Sequence, residues 1–527
     1  MIRLLFPSNQ MIAGTLVASA LRRSCGEGSV ESVTFAFFLE WLENPDVSCW
    51  FFISPPDDWS DAIKHALCNF NTKFILFGSI PPKLGKFLGV KWQRPISDEL
   101  KKASECEPAP LHSFSESLAH IRYIRPLGNC ESPIHERPLL RYDFADEWNN
   151  LGFGRIASDG SPWSIGEEID LPSQVSFAEL IINEKKISSF SGLWDWSRSS
   201  LLWVNRPVGL IDSCEHLLLE CYLSNYRSEE LPCWPTVEEI PYGYDAAVTM
   251  RLDCDEDVES ARGLFETYQS QGIPFSLALH TKLLDDSRHH SLPRNILSHG
   301  GSLLSHSASH APDWGGDYTA AYTESRESHK RILETTGVSV RYAVSPFHQT
   351  PLFAREALSD AGYAGCIGGI IRNDPDFLMA RGGVPPGGNN GFVSHSQQCM
   401  LHGDCLLDTN DPLAVFKQAF DNARKSRTLF GYLDHPFSSR YQYGWKSEEQ
   451  RKKIHEVYLS YIKKIGNVLF LNEEESLDFI TWKSRIQVRT LPNGFLFKAP
   501  FAPMKGRAGS IRYQGRRVPM EREEILL

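Results

Sequence analysis

From residue 246 onward the chain alternates short, strand-like runs rich in apolar residues with longer amphipathic ones. The short runs are AAVTMRLD (246–253), PFSLALH (274–280), GSLLSHS (301–307), RYAVSPF (341–347), GCIGGII (365–371), GFVSHS (391–396), LFGYLDH (429–435) and VLFLN (468–472). Their length and flanking turn residues predict buried strands. Between them lie helical patterns. In 257–271, Val258, Ala261, Leu264, Phe265 and Tyr268 share one helical face and Gly272 provides the stop; a second pattern, 318–336, ends at Gly337. Strand and helix in alternation across residues 241–480 predict a distorted (β/α) barrel, in which chemistry gathers at the C-terminal ends of the strands.

The flanking regions read differently. Residues 1–125 contain the strand-like runs CWFFISP (49–55) and KFILFGSIP (73–81) among helical stretches, predicting a Rossmann-like α/β region. No glycine fingerprint follows either run, so no nucleotide site is predicted there. Residues 126–240 form a mixed region, separate from the first or continuous with it. It holds a strand–turn–helix pattern at 199–223 and a proline-rich linker at 232–245. Residues 481–527 predict a β-rich extension packed on the barrel, because Pro-Asn-Gly (492–494) between two β-prone runs signals a hairpin.

Composition narrows the functional classes. The 527 residues carry a net charge of -11, which argues against a nucleic-acid partner. The 12 cysteines are unevenly spaced without a C-x-x-C pair, as in a reducing compartment. The first apolar run is broken by Pro7, Ser8, Asn9 and Gln10, unlike a secretory leader, and no stretch has the length of a membrane span. The expectation is a cytoplasmic protein.

Ionisable residues collect where the barrel rule puts an active site. The first strand ends in Asp253 and Asp255, the third at His306 with His310 four residues on, and a late one in Asp434 and His435. Residues i and i+4 share a helix face, so His306 and His310 could grip one ion. A carboxylate from another strand completes a set with open positions, the pattern of a catalytic site. Water on such an ion becomes acidic near neutral pH, a second carboxylate can take its proton, and a histidine across the site can protonate a leaving group.

In this arrangement the chain resembles the polysaccharide deacetylases, the NodB-homology family of carbohydrate esterases, over about residues 245–478. The paired aspartates, the H-S/T-x-x-H motif matched by HSASH (306–310) and the L-x-H motif matched by LDH (433–435) carry the resemblance. It implies Asp253 as base, His435 as acid, and Asp255, His306 and His310 as ligands of one divalent ion. Zn2+ is the expected ion; Co2+, Ni2+ and Fe2+ suit the same ligands. It further implies N-deacetylation of an acetamido sugar in a bacterial surface polysaccharide or its precursor. Trp314, Pro346 and Phe347 are the candidates for substrate contact, Trp314 being equally compatible with core packing.

The pattern also departs from the family. Cys254 separates the two aspartates, so the reverse assignment, or a Cys254 thiolate ligand, stays open. The family's R-x-P-Y motif orients the base and supplies an oxyanion donor. Here AVSPF (343–347) has Val344 where the arginine would stand, with Arg251 or Arg341 as possible substitutes. His395 and His402 read as loop or substrate-contact residues. Two other readings follow from the same residues: hydrolysis of a different amide, such as a formamido sugar or cyclic imide, and a non-catalytic carbohydrate-binding protein on a degenerate barrel.

Overall fold

The strand Ala246–Cys254 is buried along its whole length and forms the spine of the second half of the chain. In this computed structural model the described residues are 1–105, 118–128, 135–139, 158–210, 213–368, 381–388, 391–395, 398–502 and 507–527. Each of the eight apolar runs contains a strand. A further strand, Gln398–Met400, was not expected from the sequence. The part of the fifth run beyond Gly368 and the last residue of the sixth lie outside the described residues.

These strands form one curled, nine-stranded parallel sheet. Its order runs from Val393–His395 through Gly365–Ile367, Tyr342–Val344, Ser302–Ser305 and Ser276–Leu279 to Ala246–Cys254, then to Phe430–Asp434 and Gln398–Met400. The spine is long enough to serve two neighbours on one side. Ser276–Leu279 pairs with its upper part, Arg251–Cys254, and Val468–Leu471 with its lower part, Ala246–Thr249. The sheet is therefore the distorted barrel, with its two edge strands next to each other in sequence.

Strand periodicity divides the spine. Val248, Met250, Leu252 and Cys254 pack outward with the helical residues Leu264, Phe265 and Tyr268. Ala247 packs inward with Ala278, Leu304, Tyr342 and Val344. Successive side chains alternate between faces, so Arg251, Asp253 and Asp255 follow Ala247 onto the inner face. The helix Tyr318–Thr336 ends at Gly337, whose φ of 76° is the left-handed stop expected of a glycine there.

A second nine-stranded sheet occupies the first part of the chain. Val30–Val33, Ile2–Leu5, Cys49–Ile53, Thr72–Phe77 and Ser199–Val204 lie parallel in that order. Lys185–Asp195, Ser176–Ile182, His120–Tyr123 and Glu136–Pro138 continue the sheet antiparallel. One sheet thus takes strands from both 1–125 and 126–240. The predicted Pro-Asn-Gly hairpin forms between Gln487–Leu491 and Gly494–Lys498. A second hairpin, Gly509–Tyr513 with Arg516–Met520, pairs with Thr236–Val237 in the expected linker. The tail departs from expectation in its packing: Val488, Phe495, Phe497, Ile511 and Met520 belong to the core of the first sheet, not to the barrel. Among the described residues no helix is long and apolar enough to cross a membrane.

Candidate metal centre and active site

The end of the spine builds one wall. Arg251 and Asp253 are 1% and 2% exposed. Arg251 Nε donates to Asp253 Oδ1 at 2.8 Å and Nη2 to Oδ2 at 3.4 Å. Behind Arg251 stands the buried Glu473, 3.8 Å from Nη1. Burial alone would raise the Asp253 carboxyl pKa; Arg251, with His306 and His435, outweighs it and holds the value below the usual range. Arg341 takes no part. It lies before the strand Tyr342–Val344, at the opposite end of the barrel, and donates to Asp478 at 2.6 Å. Cys254 is fully buried on the other face of the spine, where it packs among the outer core residues and turns away from the two histidines; burial and then Asp255 push its thiol pKa far up.

The second wall is the loop after Ser302–Ser305. His306 and His310 do not share a helix face, contrary to the premise read from their spacing; residues 306–310 are irregular. Left-handed backbone at Ser307 (φ 61°) and His310 (φ 54°) folds the loop back on itself, so the two rings meet with centroids 4.8 Å apart. Glu324 holds this turn from the following helix. Its carboxylate accepts the backbone N–H groups of Ala308 and Ser309 at 2.9 and 2.8 Å, and the Ser309 hydroxyl at 2.6 Å.

Three groups converge between the walls. Asp255 Oδ1 lies 3.4 Å from His306 Nε2 and 3.1 Å from His310 Nε2. His306 Nδ1 is 3.0 Å from the Val344 carbonyl. A carbonyl only accepts, so Nδ1 carries a proton, and in the neutral ring Nε2 presents a bare lone pair. Among the described residues, Asp255 Oδ1 is itself buried without a hydrogen-bond partner. Lone pairs converging on one another need a proton or a metal cation between them, and two imidazoles with one carboxylate form a suitable set for a divalent ion. Without an ion, protons take that place. Burial would raise the Asp255 pKa, but the two imidazoles hold it well below the ordinary carboxylate value. Burial would lower the His306 pKa, but Asp255 and Asp253 raise it.

A cleft of about 460 Å3 opens over this point, a size suited to a small-molecule site. His435 faces Asp255 across it, Nε2 to Oδ2 at 3.7 Å, and stacks on Tyr443 with centroids 4.2 Å apart. Its backbone is clamped from below: the N–H donates to Asp434 at 2.7 Å and Arg451 donates to its carbonyl at 2.8 Å. Phe347, 48% exposed, stands at the rim with its ring 4.6 Å from that of His310.

Two substrate-contact candidates need correction. Trp314 is fully buried and packs in the barrel core, because left-handed turns at Asp313 and Trp314 fold its ring inward. It offers no surface to a ligand. Pro346 is buried and does not line the cleft, whereas its neighbour Phe347 does. His395 is also buried and lies under Gly382, with a pKa lowered to about 4 by burial; His402 does line the cleft.

The cleft also contains residues the sequence reading passed over: His280, His348, Tyr441 and Tyr443. His348 has its pKa lowered to about 3, chiefly by burial, and is neutral. Arg251 was open to discovery from strand period alone, since it stands two residues before Asp253. Glu324 and Tyr443 belong to segments that carry no motif.

No family model matches the chain, and no curated protein matches it. Solved structures do, family 4 carbohydrate esterases among them. An allantoinase is similar over 46% of this chain and 92% of its own, at 12% identity and a TM-score of 0.36. The Xyl-CE4 domain of a multidomain xylanase from the hindgut metagenome of Trinervitermes trinervoides covers 44% and 90%, at 13% and 0.31. A CE4 family pseudoenzyme from Bacillus anthracis covers 45% and 66%, at 12% and 0.31. Similarity at this level adds no weight to the fold, which rests on the strand order, or to the chemistry, which rests on the site.

Proposed function

We propose that the protein is a metal-dependent N-deacetylase acting on an acetamido sugar of a bacterial surface polysaccharide or its precursor. One observation carries the reading: Asp255, His306 and His310 converge on a single point, beside a separately held carboxylate, Asp253, and opposite an imidazole, His435. Asp255, His306 and His310 would hold the ion, with Zn2+ the best match and Co2+, Ni2+ or Fe2+ suited to the same donors. Such an ion, when bound, supplies Lewis-acid polarisation of an acyl carbonyl and acidifies water near neutral pH.

The remaining chemistry falls to the chain's own groups. Asp253, kept ionised by Arg251, takes a proton from the attacking water as the new C–O bond forms. The backbone of Phe347 turns through a φ of 52° at the cleft wall, where the family resemblance puts the oxyanion donor. His435 gives a proton to the amide nitrogen as the C–N bond breaks, so the products are acetate and a free amino sugar. The rings of Phe347, Tyr441 and Tyr443 on the cleft wall offer flat apolar faces on which a pyranose can rest.

The test combines metal analysis of purified protein with acetate release from N-acetylated sugar oligomers. One bound ion per chain and chelator-sensitive release of acetate are expected. Bound metal with N-acetyl sugars left intact, but a formamido sugar or cyclic imide cleaved, would overturn the substrate. Sugar binding without stoichiometric metal or turnover would replace the enzyme with a carbohydrate-binding protein.

A further inference from the structure

Tyr443 touches both halves of the site. Its hydroxyl lies 3.0 Å from Asp255 Oδ2, the oxygen not turned toward the two imidazoles. A carboxylate only accepts, so the phenol donates. Its ring lies nearly parallel to that of His435, 13° between planes with centroids 4.2 Å apart. One side chain thus restrains the candidate ligand carboxylate through its oxygen and the candidate acid through its face.

The backbone around Tyr443 is built for this placement. Tyr443 has a φ of 47°, in the left-handed region that a bulky residue rarely adopts. Such strain persists only where the surroundings enforce it. Here they do. The Tyr443 carbonyl accepts the Gly403 N–H at 3.0 Å, and the Trp445 N–H donates to Gln442 at 2.9 Å. Trp445 is anchored through Nε1 to the buried Asp434 at 3.2 Å. Gly444, at φ 74°, packs so closely on Asp404 that a Cβ would collide with its backbone. The loop is pinned on both sides of Tyr443, and its strain falls on the residue that reaches into the cleft.

We infer that Tyr443 is a positioning residue with two separable duties: its hydroxyl turns Asp255 so that Oδ1 meets His306 and His310, and its ring fixes the plane of His435. The inference rests on the metal-site reading proposed above. A group that orients a ligand carboxylate acts on metal affinity, and partners of this kind are typically worth roughly 10- to 100-fold.

Tyr443→Phe removes the hydroxyl and keeps the ring; Tyr443→Leu removes both. Zn2+ affinity is measured for wild type and both variants by competition with a chromophoric chelator, which needs no turnover. The orientation of the His435 ring is read from crystal structures of the three proteins, with circular dichroism checking that each is folded in solution. Tyr443→Phe is expected to weaken Zn2+ binding about 10- to 100-fold while leaving the His435 ring in its wild-type plane. Tyr443→Leu is expected to match that loss and also to release the His435 ring from that plane. Tyr443→Phe binding Zn2+ within twofold of wild type would overturn the first duty. A His435 ring held in the wild-type plane in Tyr443→Leu would overturn the second. Wild-type protein that binds Zn2+ tightly yet cleaves no N-acetyl sugar would refute the deacetylase reading and leave both arms intact; failure of wild type to bind Zn2+ would refute the metal site and the first duty with it.

Discussion

Arg251 grips Asp253, two residues further along the same strand, through both carboxylate oxygens, and both side chains are almost wholly buried. Under the proposed function, the arginine that the R-x-P-Y pattern would supply from another strand comes from the proposed base's own strand, whose period of two puts Arg251, Asp253 and Asp255 on one face.

Replacing Arg251 with Gln should therefore act on the base. Arg251 is the largest influence lowering the Asp253 pKa against burial. Without it the carboxyl pKa rises, and the acid limb of kcat/KM should move to higher pH. Stability follows the same sign. A depressed carboxyl contributes stability above its unfolded pKa, and the contribution is lost as pH falls through the folded value. In the variant the carboxyl is depressed less, so this acid-side loss should be smaller and complete at higher pH, on top of roughly 3–5 kcal/mol for leaving a buried charge unpaired. Urea unfolding across pH, alongside pH–rate profiles, measures both.

Metal should stabilise the wild type and not His306→Ala. An ion that binds only the folded state adds about 2.7 kcal/mol at one hundred times its Kd. Thermal melts with and without Zn2+ should show a rise in Tm for wild type, none for His306→Ala, and a rise for Asp253→Asn, which should keep the metal and lose turnover. Equal loss of metal binding in both variants would refute the division between base and ligand.

His435→Gln should separate substrates by leaving group. An amide nitrogen needs a proton to depart, so N-acetyl sugar turnover should fall by about 100- to 10,000-fold. An aryl acetate, whose phenolate leaves unaided, should be affected far less. Equal losses on both substrates would remove His435 as the acid.

Trp314→Ala should destabilise the protein by roughly 3–5 kcal/mol, the cost of emptying a large buried site. Substrate KM should stay unchanged in the protein that remains folded. Steady-state kinetics beside a denaturation curve tests this; a raised KM at unchanged stability would return Trp314 to the sugar site.

Local pattern carried most of the barrel. Apolar runs and amphipathic helices are written in neighbouring residues, and the strand ends follow from them, which is why Asp253, Asp255, His306, His310 and His435 could be singled out together. The loops could not be read in the same way. The spacing of His306 and His310 suggested a helix, whereas left-handed turns at Ser307 and His310 and the grip of Glu324 bring the rings together instead. Similar turns at Asp313 and Trp314 send an aromatic residue into the core that its spacing had offered to a sugar.

The sequence by itself determined the strand and helix order of the barrel and the kinds of side chain available at its mouth, because hydrophobic periodicity is a local property. Only the tertiary structure decided which atoms meet. It chose Arg251 over Arg341, turned Asp255 Oδ1 toward two imidazoles, brought Tyr443 to the same carboxylate from 188 residues away, and took the tail to the first sheet. Those outcomes depend on sheet curvature and on a few backbone torsions enforced by distant packing, and no short window of residues encodes either.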